Sequence, residues 1–212
     1  KVTKNYTTAF QIKSYKTKLI SGILVLIAIL IYFPFFFHSI ENRNGRMIPD
    51  IVLDWLRPRD MSTPVFLLIW ASGLLLVYRL FKDPDLLLLA IWGYNLLTLL
   101  RMSCIGLFSL NPPAGLIPLK DPLTNLFYGS VYITHDLFFS GHTATVCLIC
   151  YCLKGRVDKY FTGLAAAILG ILLLIQHVHY TIDILASPVL TYVTYRCARL
   201  FTRPEQRLLT SD

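Results

Sequence analysis

Apolar residues run through this chain in long blocks, separated by short polar segments. Six blocks meet or approach the roughly 20 residues of helix needed to cross a bilayer core of about 30 Å. They cover approximately residues 19–38, 64–81, 86–110, 137–153, 160–175 and 180–201. The pattern predicts an all-α integral membrane protein, a six-transmembrane helix bundle forming one domain over residues 1–212. The segment after the first span, Glu41–Ser62, carries Ile48, Ile51, Val52, Trp55 and Leu56 near helical spacing. That spacing predicts a short amphipathic helix lying on the membrane. The second outer loop, Asn111–Asp136, opens with NPPAGLIPLKDP, whose prolines exclude a regular helix there. In the fifth span Gly163, Ala167 and Gly170 share a face, which predicts close helix packing.

Composition supports this pattern. Hydrophobic residues make up 55% of the chain and charged residues 15%, with a mean hydropathy of +0.59. The first span is not a cleaved leader by pattern: it is long, ends in the aromatic run IYFPFFFH and lacks a small-residue cleavage site. The five cysteines are scattered, and Cys147, Cys150 and Cys152 read as small apolar residues rather than metal ligands. The net charge of +8 could suggest nucleic acid, but its distribution argues otherwise. With a cytoplasmic N-terminus, fourteen Lys and Arg fall in cytoplasmic segments and five in outer loops: Arg43, Arg46, Arg57, Arg59 and Lys120. That is the positive-inside bias, and it places both termini in the cytoplasm. No nucleic-acid partner is expected.

The same topology gathers ionisable residues at one depth on the outer side. Arg101 falls in the outer third of the third span. Ser140, Gly141 and His142 open the fourth, and His177, His179 and Asp183 open the sixth. Ionisable residues inside membranes are costly and face a cavity or each other. His179 and Asp183 are i, i+4 on one helical face, whereas His177 points elsewhere. Asp183 can therefore orient the His179 ring and leave its other nitrogen free as a nucleophile. Ser140 is a good N-cap, Gly141 allows close approach to the backbone, and a helix N-terminus favours an anion. His142 beside that anion can act as acid and then base. Together these groups suit phosphoryl transfer through a phosphohistidine without a metal or other cofactor.

The motifs SGHT (Ser140–Thr143) and HYTID (His179–Asp183) resemble the type 2 phosphatidic acid phosphatase superfamily, and more specifically its sphingomyelin synthase branch. IPDIVLD (Ile48–Asp54) is similar to that branch's first-loop PLPDxxxD segment. LRMSCIGLFSLNPP (Leu100–Pro113) is similar to its third-span motif. The resemblance implies a catalytic triad of His142, His179 and Asp183, with His179 attacking phosphorus and His142 shuttling the proton. Arg101, Asp50 and Asp54 carry over as motif positions, and Ser140, Gly141 and Asp136 join them as candidate substrate or phosphate ligands. The wider superfamily's KxxxxxxRP motif is absent, and Leu172 and Leu173 stand where its Ser-Arg pair falls. Those missing cations normally hold a phosphate dianion, whereas a phosphodiester carries one negative charge.

The expected activity is lipid headgroup phosphotransfer, as in sphingomyelin or ceramide-phosphoethanolamine synthases, with possible phospholipase-C-like hydrolysis. The donor is a membrane phospholipid; the acceptor is a ceramide- or diacylglycerol-like alcohol, or water. The alternative is a phosphatase acting on lipid phosphomonoesters or pyrophosphates such as phosphatidic acid, undecaprenyl pyrophosphate or lipid A, with Arg46, Lys120 or Arg101 as compensating cation. A transporter is disfavoured because no inverted repeat or discontinuous helix is visible. The compact chain, with no appended soluble domain, points to a bacterial plasma membrane, with the active site facing outside or a lumen.

Overall fold

The structure, a computed structural model, describes residues 6–120 and 134–208. Eight helices occur among them: α1 (Tyr6–Ala9), α2 (Lys13–Glu41), α3 (Ile51–Trp55), α4 (Ser62–Leu80), α5 (Pro84–Leu107), α6 (Gly141–Cys152), α7 (Arg156–Ile175) and α8 (Thr181–Leu208). Part of the second outer loop, residues 121–133, lies outside the described residues.

The six expected blocks become α2, α4, α5, α6, α7 and α8, in order. Local chemistry sets their ends. Asp83 caps α5 by accepting from Asp85 N and Leu86 N, with Pro84 in the first turn, where its missing N–H costs nothing. Ser140 caps α6 by accepting from Thr143 N. Four helices, α2, α4, α5 and α7, are long and apolar enough to cross a membrane. Their outward faces carry exposed apolar side chains such as Leu24 and Phe35 on α2, Leu74 on α4 and Leu164 on α7. A face of this kind suits lipid rather than water.

The block expected at 137–153 differs from expectation. Its helix is only Gly141–Cys152, twelve residues, and Leu137–Phe139 lie outside it. The reason is position. α6 packs against α4, α5, α7 and α8, so it is enclosed by protein. Ala144, Val146, Cys147, Leu148, Ile149 and Cys152 are all buried on it. Cys147 and Cys152 serve there as small apolar residues.

Two packing expectations also change. Ala167 is exposed, so Gly163, Ala167 and Gly170 are not one buried face. The buried face of α7 is instead Thr162, Ala165, Ala166, Leu169, Gly170 and Leu173. Gly170 is the close contact: a Cβ there would sit 2.7 Å from Ile184 Cγ2 on α8. The amphipathic segment shrinks to the five residues of α3. Its apolar stripe (Ile51, Val52 and Trp55) faces outward, while Leu53 is buried.

Candidate active site

The start of α6 is built around Ser140. Besides capping Thr143 N, its hydroxyl donates to Thr143 Oγ1 at 3.2 Å. Its backbone N–H donates to the Asp183 carbonyl at 3.3 Å. The Ser187 hydroxyl lies 3.1 Å from the Ser140 carbonyl and 2.7 Å from that of Asp183. These bonds pin the first turn of α6 to the first turn of α8, which brings SGHT and HYTID together as the topology predicted. The His142 ring packs edge-on against Phe66 of α4, with centroids 6.3 Å apart.

Arg101, on the last third of α5, reaches this turn. Its Nε donates to the Phe139 carbonyl at 2.9 Å and its Nη2 to Asp136 Oδ1 at 2.6 Å. The guanidinium lies against Gly141, where any Cβ would collide with it. Glycine is therefore required by close approach, not by backbone angle. The expected cation thus sits at the α6 N-terminus, where the helix dipole favours an anion. Asp136 is a carboxylate paired with that cation.

At the start of α8, His179 Nδ1 lies 3.3 Å from Asp183 Oδ2, and both side chains are almost fully buried. The same oxygen accepts from Tyr180 N at 3.0 Å. Asp183 Oδ1 has no hydrogen-bond partner among the described residues. With Nδ1 turned to Asp183, His179 Nε2 is the nitrogen left for nucleophilic attack.

The residues around His179 gather the loops that follow α2 and α5, a role the sequence did not show. Buried Gln176 accepts from Met61 N at 3.0 Å through Oε1 and sets Nε2 3.0 Å from Ser62 Oγ and 3.2 Å from the Ile117 carbonyl. His177 has φ 57°, a left-handed conformation uncommon outside glycine. Its Nδ1 lies 2.8 Å from the Ala114 carbonyl and its Nε2 3.2 Å from the Leu56 carbonyl. A neutral ring has one N–H for these two acceptors, and a charged ring has two. The Tyr180 hydroxyl donates to the Asn111 carbonyl at 2.9 Å and accepts from Ile48 N at 3.3 Å. A polar Gln directly after the fifth apolar block was the one available signal for Gln176.

Asp50 joins this group from the first loop. Its carboxylate accepts from Thr181 N at 2.6 Å and Thr181 Oγ1 at 2.9 Å, and also from Val52 N and Leu53 N of α3. Partial burial pushes its carboxyl pKa up, but the bonds from Thr181, Leu53 and Val52 outweigh that and hold it below the usual 3.8. Asp54 is exposed and lines a cavity of about 230 Å³ with Asp50, His177, Tyr180 and Pro113. Of the other cations considered, Lys120 pairs with Asp60 at 3.3 Å. Arg46 lines a neighbouring groove of about 540 Å³ with Met47, Leu107 and Phe108.

Residues 135–200 match the family model of the PAP2 superfamily C-terminal domain. That segment contains His142, His179 and Asp183. The fold is similar to the crystal structure of Aquifex aeolicus LpxE, with a TM-score of 0.50 and 19% sequence identity, covering 76% of this chain and 91% of that one. No curated protein matches the sequence. The family match supports the PAP2 superfamily, the LpxE likeness is one of fold, and neither selects the sphingomyelin synthase branch.

Proposed function

We propose that this chain is a membrane enzyme that cleaves lipid phosphoesters through a phosphohistidine on His179, with hydrolysis of a lipid phosphate as its main reaction. The PAP2 match over the segment that holds both histidines supports a lipid phosphatase better than the headgroup transferase expected from the motifs. The single observation that carries the chemistry is the fixed His179–Asp183 pair beside the capped start of α6.

In this reading His179 Nε2 attacks phosphorus and the bond to the lipid oxygen breaks. His142 gives its proton to the departing alkoxide. Water then loses a proton to His142 and attacks the phosphohistidine, releasing phosphate and restoring both rings. The N–H groups of the first turn of α6 and the Arg101 guanidinium hold the phosphoryl oxygens. Asp136 keeps Arg101 in place rather than touching phosphate, since two anions repel. No step calls for a metal. The substrate class is a lipid phosphomonoester or pyrophosphate. Six spans with cytoplasmic termini, and a site opening on the outer face of a bacterial plasma membrane, complete the reading.

One observation favours a second reading. Arg101 already spends one nitrogen on Asp136, so the turn offers an anion little net positive charge. A singly charged phosphodiester needs less. Transfer of a phospholipid headgroup to a ceramide- or diacylglycerol-like alcohol would use the same intermediate, with the alcohol replacing water. Purified protein in mixed micelles separates the two. Phosphatidic acid should yield inorganic phosphate, and labelled phosphatidylcholine or phosphatidylethanolamine with ceramide should yield less or no transferred headgroup. Exclusive headgroup transfer would move the second reading to first. Turnover of every lipid undiminished in His179→Ala would end both.

A further inference from the structure

The helix that follows His179 and carries Asp183 has an unusual start. Tyr180 stands at its N-cap and Asp183 at its third helical position. Asp183 Oδ2 reaches back to Tyr180 N at 3.0 Å, which is one half of a capping box. The other half is missing, because a phenol cannot do what a Ser, Thr, Asp or Asn does at an N-cap. The Tyr180 hydroxyl is bound instead to Asn111 and Ile48.

The first N–H of α8 therefore depends on another part of the chain. Asp50 supplies the acceptor, taking Thr181 N and Thr181 Oγ1 on its two oxygens. The same carboxylate caps α3 through Val52 N and Leu53 N. Thr181 is the second residue after His179 and the second before Asp183. We propose that Asp50 is a positioning residue for the nucleophile: it caps α8 in trans, and so ties the orientation of His179 to docking of the first outer loop.

The physical consequence runs through Asp183. One of its oxygens already serves both His179 Nδ1 and Tyr180 N. Without Asp50 the first turn of α8 loses an acceptor for Thr181 N, and an anion at the positive end of the dipole. The turn then loosens, and the shared oxygen cannot follow two donors that move apart. A misplacement of about 1 Å at a reacting group can cost on the order of 10²-fold in rate. Asn at position 50 has one acceptor oxygen, enough for either Thr181 N or the α3 cap, so it is intermediate. Thr181→Val keeps the N–H and removes only the hydroxyl.

The inference rests on the phosphohistidine reading, and the experiment separates the two. Wild type, Asp50→Ala, Asp50→Asn, Thr181→Val and His179→Ala are purified in detergent. Each is assayed for steady-state turnover of a short-chain lipid phosphate across pH and for the rate of phosphoenzyme formation. The expected result is a graded fall in kcat: about 10²-fold for Asp50→Ala, less for Asp50→Asn and a few-fold for Thr181→Val. KM should stay within a few-fold, phosphoenzyme should form more slowly, and the pH profile of kcat should change shape. Asp50→Asn and Thr181→Val together should cost less than the product of their separate effects. A His179→Ala enzyme that still turns over sinks the phosphohistidine reading itself. A dead His179→Ala beside position-50 and position-181 variants with unchanged kcat and pH profile sinks this inference alone. If Asp50→Ala fails to fold, Thr181→Val and the double variant decide.

Discussion

The two ends of the helix bundle are held by different chemistry. At the end where α4 and α8 stop and α5 and α7 start, ion pairs do the work. Lys18 Nζ meets buried Glu205 at 2.8 Å, Arg79 meets Asp158 at 2.8 Å, and Lys154 pairs with Asp83. Each joins two helices or the turns between them. At the opposite end, where α6 and α8 start, side chains mostly hold backbone groups of irregular loops. The side chains of Gln176, His177 and Tyr180 together engage seven backbone positions of the loops after α2 and α5. Pairs whose cation is half in water, as Arg79 and Lys154 are, tolerate loss more readily than the Lys18 pair, whose carboxylate is buried. Buried backbone groups do not, because an unmet donor or acceptor keeps its full desolvation cost. The loop-rich end is thus the more exactingly built, and it is the end where the proposed chemistry sits.

This contrast can be broken in graded ways. The largest expected effect is Asp183→Asn, which keeps the size of the group but disturbs the bond that orients His179. Turnover should fall on the order of 10²–10⁴-fold with the fold retained, read by steady-state assay and circular dichroism. Arg101→Ala comes next. It removes the cation over Gly141 and frees Asp136, and kcat should drop on the order of 10²–10³-fold. Equal activity in that variant would remove Arg101 from phosphate binding. At the other end, Lys18→Ala strands a buried carboxylate and should cost about 3 kcal/mol in stability while leaving activity per folded molecule unchanged. Arg79→Ala breaks a pair with a half-exposed arginine and should lower the melting temperature less than Lys18→Ala does. If activity falls with either, the division between the ends fails.

The smallest effect is a pH dependence. The Asp50 carboxyl is held below 3.8 in the folded protein. Its stabilising contribution is complete above that ordinary value and fades as pH falls below it, through the depressed folded value. Wild type and Asp50→Asn should therefore differ by a constant melting offset from pH 5 to 8, and the offset should narrow below about pH 4. An offset that widens on acidification would reverse the assignment.

Much of this was legible in the residues. Long apolar blocks gave the helices, because nothing else satisfies every backbone polar group in lipid. The i, i+4 spacing of His179 and Asp183 pointed to their pairing, but not through a shared helical face: His179 lies just before α8, and Asp183 in the first turn of α8 meets its ring. The face of α7 was not legible. An all-apolar helix carries no polar side to tell lipid from protein, so Ala167 and Ala166 look alike in sequence and differ in burial. The pairing of Arg101 with Asp136 joins a helix to an irregular segment, and no periodicity links such positions. Gln176 and Tyr180 stayed hidden for another reason. Their side-chain partners are mostly backbone atoms, which every residue type supplies equally.

The bonds of His177 and Tyr180 bear on how such a protein can diversify. Outer loops are commonly the parts that change most freely between relatives, since they lie away from the core. Here Ile48, Leu56, Asn111 and Ala114 are fastened through backbone atoms to the two residues flanking Val178 and His179. A loop grafted from another protein would keep these fastenings if its backbone ran the same path, whatever its side chains. A graft differing in length by one residue would break them. Recombination in this region is therefore permissive in composition and strict in length.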